Sequence, residues 1–236
     1  MTVGQLPLHI DISGHGVPVV FTHGWLNTGD VWSGVVAELG GTVRAATWDL
    51  RGHGRSGVAP PGQYGRDHAL ADLGRVVEAT GRPAILVGHS LGGYLSLAQA
   101  ILSPDDVAGL VLVAAGPGFR SDDSRNQWNA NVQEMAAGRD DVPDGQVEIT
   151  EHVDALVIDR LAEITVPVIT LVGERDKRFL ASADVFDKYL DVRDRVTVPD
   201  AGHMVHVKQA GVVAAAVTSM AAIATGSTGS AGGTEG

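Results

Sequence analysis

The sequence predicts an α/β fold with a mostly parallel central sheet covered by helices on both faces. Three observations predict it. Short apolar runs of strand length recur along the chain, segments with apolar residues at helical spacing alternate with them after the second run, and 236 residues with 44% hydrophobic content suit one compact domain. The strand-like runs are 8–12, 17–22, 43–48, 84–87, 110–113, 168–172 and 196–198. Runs such as Ala84-Ile85-Leu86-Val87 and Val168-Ile169-Thr170-Leu171-Val172 are nearly unbroken in apolar character, as in parallel strands buried on both faces. The helix-like segments are 31–39, 68–79, 91–102, 183–190 and 208–224.

The fourth run leads into Gly88-His89-Ser90-Leu91-Gly92, which opens a helix-like segment. A serine between two glycines at a sharp strand-to-helix turn is held on strained backbone with its hydroxyl exposed. The N–H of Leu91, in the first turn of the helix, faces the same place with the positive end of the helix dipole behind it. In a chain with 31 glycines the pentapeptide alone also fits an ordinary glycine-rich turn. A serine nucleophile needs a base, and the base needs an orienting group.

Both stand downstream, each just past a strand, where the active groups of open α/β sheets collect. Glu174-Arg175-Asp176 follows the sixth run, and Asp176 is the expected orienting carboxylate, with Glu174 and Asp184 as competitors. Pro199-Asp200-Ala201-Gly202 leads from the last run into His203, the expected general base, with His206 as its rival.

Further motifs fall in the same order. Val19-Val20-Phe21-Thr22-His23-Gly24-Trp25 ends a strand in His-Gly, and Asp49-Leu50-Arg51-Gly52-His53-Gly54-Arg55-Ser56 follows the next one. With Gly173-Glu174-Arg175-Asp176 and Gly202-His203-Met204-Val205-His206, these make the chain resemble the serine hydrolases of the α/β-hydrolase fold from about residue 6 to 223. The resemblance implies a catalytic Ser90, His203 and Asp176, and an oxyanion hole made by the N–H groups of Trp25 and Leu91. It also implies a core of 1–115 and 163–224, with a small helical cap at 116–162. A serine at this position disfavours dehalogenases and epoxide hydrolases, whose nucleophile is a carboxylate. Ester, thioester and lactone hydrolysis remain, and a small or medium carboxylic ester or lactone is the expected substrate, without a cofactor or metal. Carbon–carbon bond hydrolysis is the runner-up, with Arg120 and Arg125 as candidate carboxylate holders. A non-catalytic receptor on the same fold is the third reading.

Within the expected cap, Trp128, Val132 and Met135 stand near helical spacing. Such a stripe ordinarily packs on the domain beneath and also fits the lip of a pocket. His89, Phe119 and Trp128 are the candidate pocket residues, 139–146 is expected as a polar loop, and 149–161 as a second cap helix. His23 and His53 are expected to tie loops, and Asp49 and Asp200 to anchor turns. His9, His15, His68 and His152 read as surface or core positions, without metal-ligand spacing.

The formal charge of −11 argues against nucleic acid or an anionic membrane as partner. With no cysteine, thiol chemistry is excluded and disulfides are not needed. The segment 1–5 does not open a signal peptide and no apolar run spans a bilayer, so a cytoplasmic enzyme is expected. From Thr225 the low-complexity, glycine- and serine-rich sequence to residue 236 is expected as a flexible tail.

Overall fold

The computed structural model describes residues 6–226. One sheet is built from β1 (Ile10–Ser13), β2 (Pro18–Thr22), β3 (Arg44–Trp48), β4 (Ala84–His89), β5 (Val107–Val113), β6 (Val168–Gly173) and β7 (Val192–Val198). The spatial order is β1-β3-β2-β4-β5-β6-β7, with β1 antiparallel to β3 and every other pair parallel. Every expected apolar run therefore became a strand, and the parallel strands end on one common edge.

The helices are α1 (Ser33–Glu38), α2 (Arg66–Thr80), α3 (Leu91–Leu102), α4 (Asp122–Ala136), α5 (Leu156–Arg160), α6 (Lys177–Tyr189), α7 (Val205–Lys208) and α8 (Ala210–Ala224). Alternation along the strands divides the core. Val20, Leu86, Leu110 and Leu112 pack with Leu73 and Val77 of α2 and Leu95 of α3, on the face that also takes Phe186 of α6. Their neighbours Phe21, Ile85, Val87 and Val111 point the other way, against Val35 of α1 and Val213, Val217 and Met220 of α8.

Several boundaries differ from expectation for physical reasons. β7 begins at Val192 rather than 196, because this edge strand carries exposed Arg193, Asp194 and Arg195, which hydrophobicity does not mark. The first two turns of α6 are Lys177-Arg178-Phe179-Leu180-Ala181-Ser182, too polar to read as apolar periodicity. The expected helix 208–224 is two, divided at Gln209, whose backbone leaves the helical region at φ −134° and ψ 55°.

The helix expected at 149–161 is not formed as one element. A 3₁₀ turn (Gln146–Thr150) passes through an extended stretch to the short α5. Its backbone groups are taken by other partners: Trp128 Nε1 donates to the Thr150 carbonyl at 2.8 Å, and the His152 N–H donates to Asn129 Oδ1 at 2.9 Å. With those groups satisfied by tertiary bonds, a continuous helix has nothing to gain there.

Among the described residues no helix is long and apolar enough to cross a membrane. At the other end of α8, the Thr225 and Gly226 N–H groups bond to the carbonyls of Ala221 and Ile223. The expectations for 1–5 and for the tail from 227 lie outside the described residues.

Candidate active site

Among the described residues the non-glycine positions with positive φ are Leu26 (62°), Ser90 (51°), Ala114 (47°) and Asp200 (57°), and all four follow the carboxyl ends of strands. Strain of this kind persists only where surrounding bonds fix it. At Ser90 the fixing is done by backbone. Its N–H donates to the Val113 carbonyl at 3.0 Å, and its own carbonyl accepts from Gly93 and Tyr94 at 3.0 and 3.1 Å. The flanking glycines are required by close approach: a Cβ on Gly92 would collide with the Thr22 carbonyl, and one on Gly88 with the backbone of Gly92 and Gly93.

Ser90 opens onto a cavity of about 330 Å³. Trp25, Leu91 and His203 share its wall, as do His89, Phe119 and Trp128. The backbone N–H groups of Trp25 and Leu91 have no acceptor among the described residues. Asp176 stands behind His203, where His203 Nδ1–H donates to Asp176 Oδ2 at 2.7 Å. That bond leaves Nε2 as the basic nitrogen of His203. The ring is held between Phe179, stacked at 4.9 Å, and His89 at 4.6 Å, while His89 Nε2–H donates to the His203 carbonyl at 3.0 Å.

The competitors are occupied elsewhere. Glu174 accepts from the Asp200 N–H, and Asp184 pairs with Arg195. His206 is fully buried between Trp32 and His89, at 4.4 and 4.3 Å between ring centres, with neither ring nitrogen bonded. Burial, helped by the nearby His203, lowers its pKa to about 4, which makes it a poor proton acceptor. Burial likewise pushes His89 well below its ordinary value, with His206 and His203 adding to the effect.

The loops beneath Trp25 are tied by imidazoles. His23 Nδ1–H donates to the Gly24 carbonyl at 2.7 Å and Nε2 accepts from the Leu50 N–H at 3.0 Å. His53 Nδ1–H donates to the Arg51 carbonyl, and Nε2 accepts from the Leu26 N–H at 3.3 Å. Each histidine is therefore neutral in the Nδ1–H tautomer, and burial lowers the His23 pKa to about 3. Asp49 accepts from the N–H groups of Gly29 and Arg55 at 2.7 and 2.8 Å. Burial would raise its pKa, but those N–H groups hold it below the usual range.

The far wall comes from the segment between β5 and β6 and from α6. Trp128, Val132 and Met135 all line the cavity, so the stripe on α4 faces the pocket. His152, read from sequence as surface or core, lines it too, edge-on to Tyr94, Phe119 and Trp128. Gln146, expected in a polar loop, is buried: its Oε1 accepts from Trp25 Nε1 at 2.9 Å and its Nε2 donates to the Gly52 carbonyl at 2.9 Å. Arg178 is a further lining residue that sequence reasoning missed. Arg120 and Arg125 are not in the wall; Arg120 pairs with Asp159, and Arg125 binds Asp122 and the carbonyls of Phe119 and Arg120.

Residues 17–155 match the family described as alpha/beta hydrolase fold. The chain belongs to that family. Among similar proteins is a pimeloyl-[acyl-carrier protein] methyl ester esterase of Methylococcus capsulatus, 41% identical over 113 residues, covering 48% of this chain and 42% of the relative. The chain thus spans less than half the length of that curated relative. An esterase from Thermogutta terrifontis superposes with a TM-score of 0.79 at 23% identity, over 95% of this chain and 96% of that one. Est816, described as an N-acyl homoserine lactone degrading enzyme, gives 0.74 at 21% identity over 91% and 96%. At these identities the two structures speak for the α/β-hydrolase fold alone.

Proposed function

We propose that this chain is a serine hydrolase that cleaves a small or medium carboxylic ester or lactone through an acyl-enzyme. The observation that carries the reading is the 2.7 Å bond from His203 to Asp176 on a cavity that also holds Ser90 and two unpaired backbone N–H groups. The esterase relatives support the ester class. Ser90 Oγ attacks the carbonyl while His203 Nε2 takes its proton, and Asp176 stabilises the imidazolium. The oxyanion is held by the N–H groups of Trp25 and Leu91, each such donor contributing on the order of 3 kcal/mol to the transition state. Collapse expels the alcohol, protonated by His203, and water activated by the same imidazole then releases the acid. For a lactone the leaving alcohol stays in the product. Arg120 and Arg125, the carboxylate holders expected for the carbon–carbon reading, stand outside the cavity.

The test is hydrolysis of p-nitrophenyl esters from acetate to decanoate by the wild type beside Ser90→Ala, with fluorophosphonate labelling of both. Turnover and labelling that vanish in the variant are the expected result. A wild type that neither hydrolyses any ester nor takes the label would leave a receptor on this fold as the better reading.

A further inference from the structure

Arg178 differs from every other arginine of the chain. Arg44 reaches the carbonyls of Thr80 and Ala79, and the rest each pair with a carboxylate. Among the described residues the Arg178 guanidinium makes neither a hydrogen bond nor an ion pair. Its guanidinium lies over the Trp128 ring, 5.4 Å from the centroid, and it lines the cavity. It also stands in the first turn of α6, beside Lys177 and without an acidic residue, where the helix dipole disfavours a cation. For this solvent-exposed side chain the Trp128 ring is the partner the folded chain supplies, and no carboxylate is paired with it.

The cavity supplies the complement. The chain has 28 acidic residues, and among the described residues none lines the wall. Ser182, one turn beyond Arg178 on α6, and Asn131 on α4 add a hydroxyl and an amide to the same wall. Much of the remaining wall is apolar, with Trp128, Val132, Met135 and Phe119. A guanidinium offers planar, paired N–H donors that match one carboxylate. A doubly charged phosphate would call for more than this single lining cation.

We propose that Arg178 anchors a carboxylate of the substrate, so that the natural substrate is an ester or lactone with a carboxylate remote from the scissile carbonyl. The apolar stripe of α4 covers the methylene chain between them. This rests on the hydrolase reading above.

The test compares methyl hexanoate with monomethyl adipate, which have the same chain length and differ in the terminal carboxylate, followed in a pH-stat. The readout is the ratio of kcat/KM for the anionic over the neutral ester. In the wild type at low salt the ratio is expected to favour the adipate by about tenfold, through KM, as for a hydrogen-bonded charge pair in partial solvent. At about 0.5 M salt it falls, because the pair is screened. Arg178→Gln brings the ratio near one, Arg178→Lys restores part of it, and Arg178→Glu inverts it. A wild type that prefers the hexanoate, or an Arg178→Gln ratio equal to the wild type's, overturns the carboxylate assignment and leaves the hydrolase reading standing. A wild type that cleaves neither ester and resists the fluorophosphonate overturns both.

Discussion

The carboxyl edge of the sheet and the segment between β5 and β6 reach the same cavity by different means. At the edge, backbone holds backbone: Ser90 N–H on the Val113 carbonyl, Arg175 N–H on Ala201, Asp176 N–H on Gly173. In the segment, side chains hold backbone: Trp128 on Thr150, Asn129 on His152, and Glu148 on the N–H groups of Gly62 and Tyr64. The first kind of support is indifferent to most side chains and intolerant of added atoms. The second is written in particular side chains and can be edited one at a time. Ser90 and Asp176 sit on the first kind of frame, while the loop of Trp25, tied by His23 and His53, and the cavity wall between β5 and β6 sit on the second.

The hardest way to break the edge is to add one carbon. Gly92→Ala drives a Cβ into the Thr22 carbonyl and is expected to cost about 3 kcal/mol or more, or to prevent folding. A urea midpoint unchanged from wild type would remove the argument from close approach.

Next is Asp176→Asn, which keeps the shape and loses the charge behind His203. Ester turnover is expected to fall by about 10⁴-fold, as the wrong tautomer is favoured, while Glu174→Gln stays near wild type. The reverse pattern would move the acid to Glu174.

Acid probes the imidazoles of both regions. The unfolded chain protonates histidine near pH 6.5, whereas folded His23 stays neutral to about 3 and His152 and His206 to about 4, chiefly because they are buried. Between those values the unfolded state binds more protons, so stability falls as pH falls, by up to about 1.4 kcal/mol per pH unit for each histidine. Denaturation midpoints measured from pH 7 to 4 should drop steeply below 6.5. A flat profile would mean that these rings are not buried neutral.

In the segment the effects are smaller. Asn129→Ala removes both bonds to His152 and is expected to cost about 1–2 kcal/mol, and to shift ester preference more than turnover on the best ester. Arg139→Gln, in an exposed pair with Asp141, should change the unfolding free energy measured in urea by less than about 0.5 kcal/mol. A large loss there would show that the segment is not held as described.

What was legible in the sequence follows the same division. Apolar runs marked every strand of the sheet, and the residues that follow them, among them Trp25, Ser90, Asp176 and His203, are placed by counting from a strand's end. The first half of β7 escaped because an edge strand of Val192-Arg193-Asp194-Arg195 has no apolar alternation. The stretch 146–160 escaped because its course depends on bonds to Trp25, Gly52, Gly62 and Asn129, all remote in sequence. For the same reason His152 and Arg178 carry no local sign of the cavity, and Gln146 looks like any loop glutamine until its partners arrive.

That one glutamine also limits how independent the two regions are. Its carboxamide joins the indole of Trp25 to the carbonyl of Gly52, and Glu148 adds bonds to Gly62 and Tyr64, so the wall and the strand-end loop share pivots. In evolutionary terms, substitutions at Val132, Met135 or Ser182 let the pocket drift toward new substrates while the strand-end loop stays in register, whereas a change at Gln146 disturbs wall and loop together.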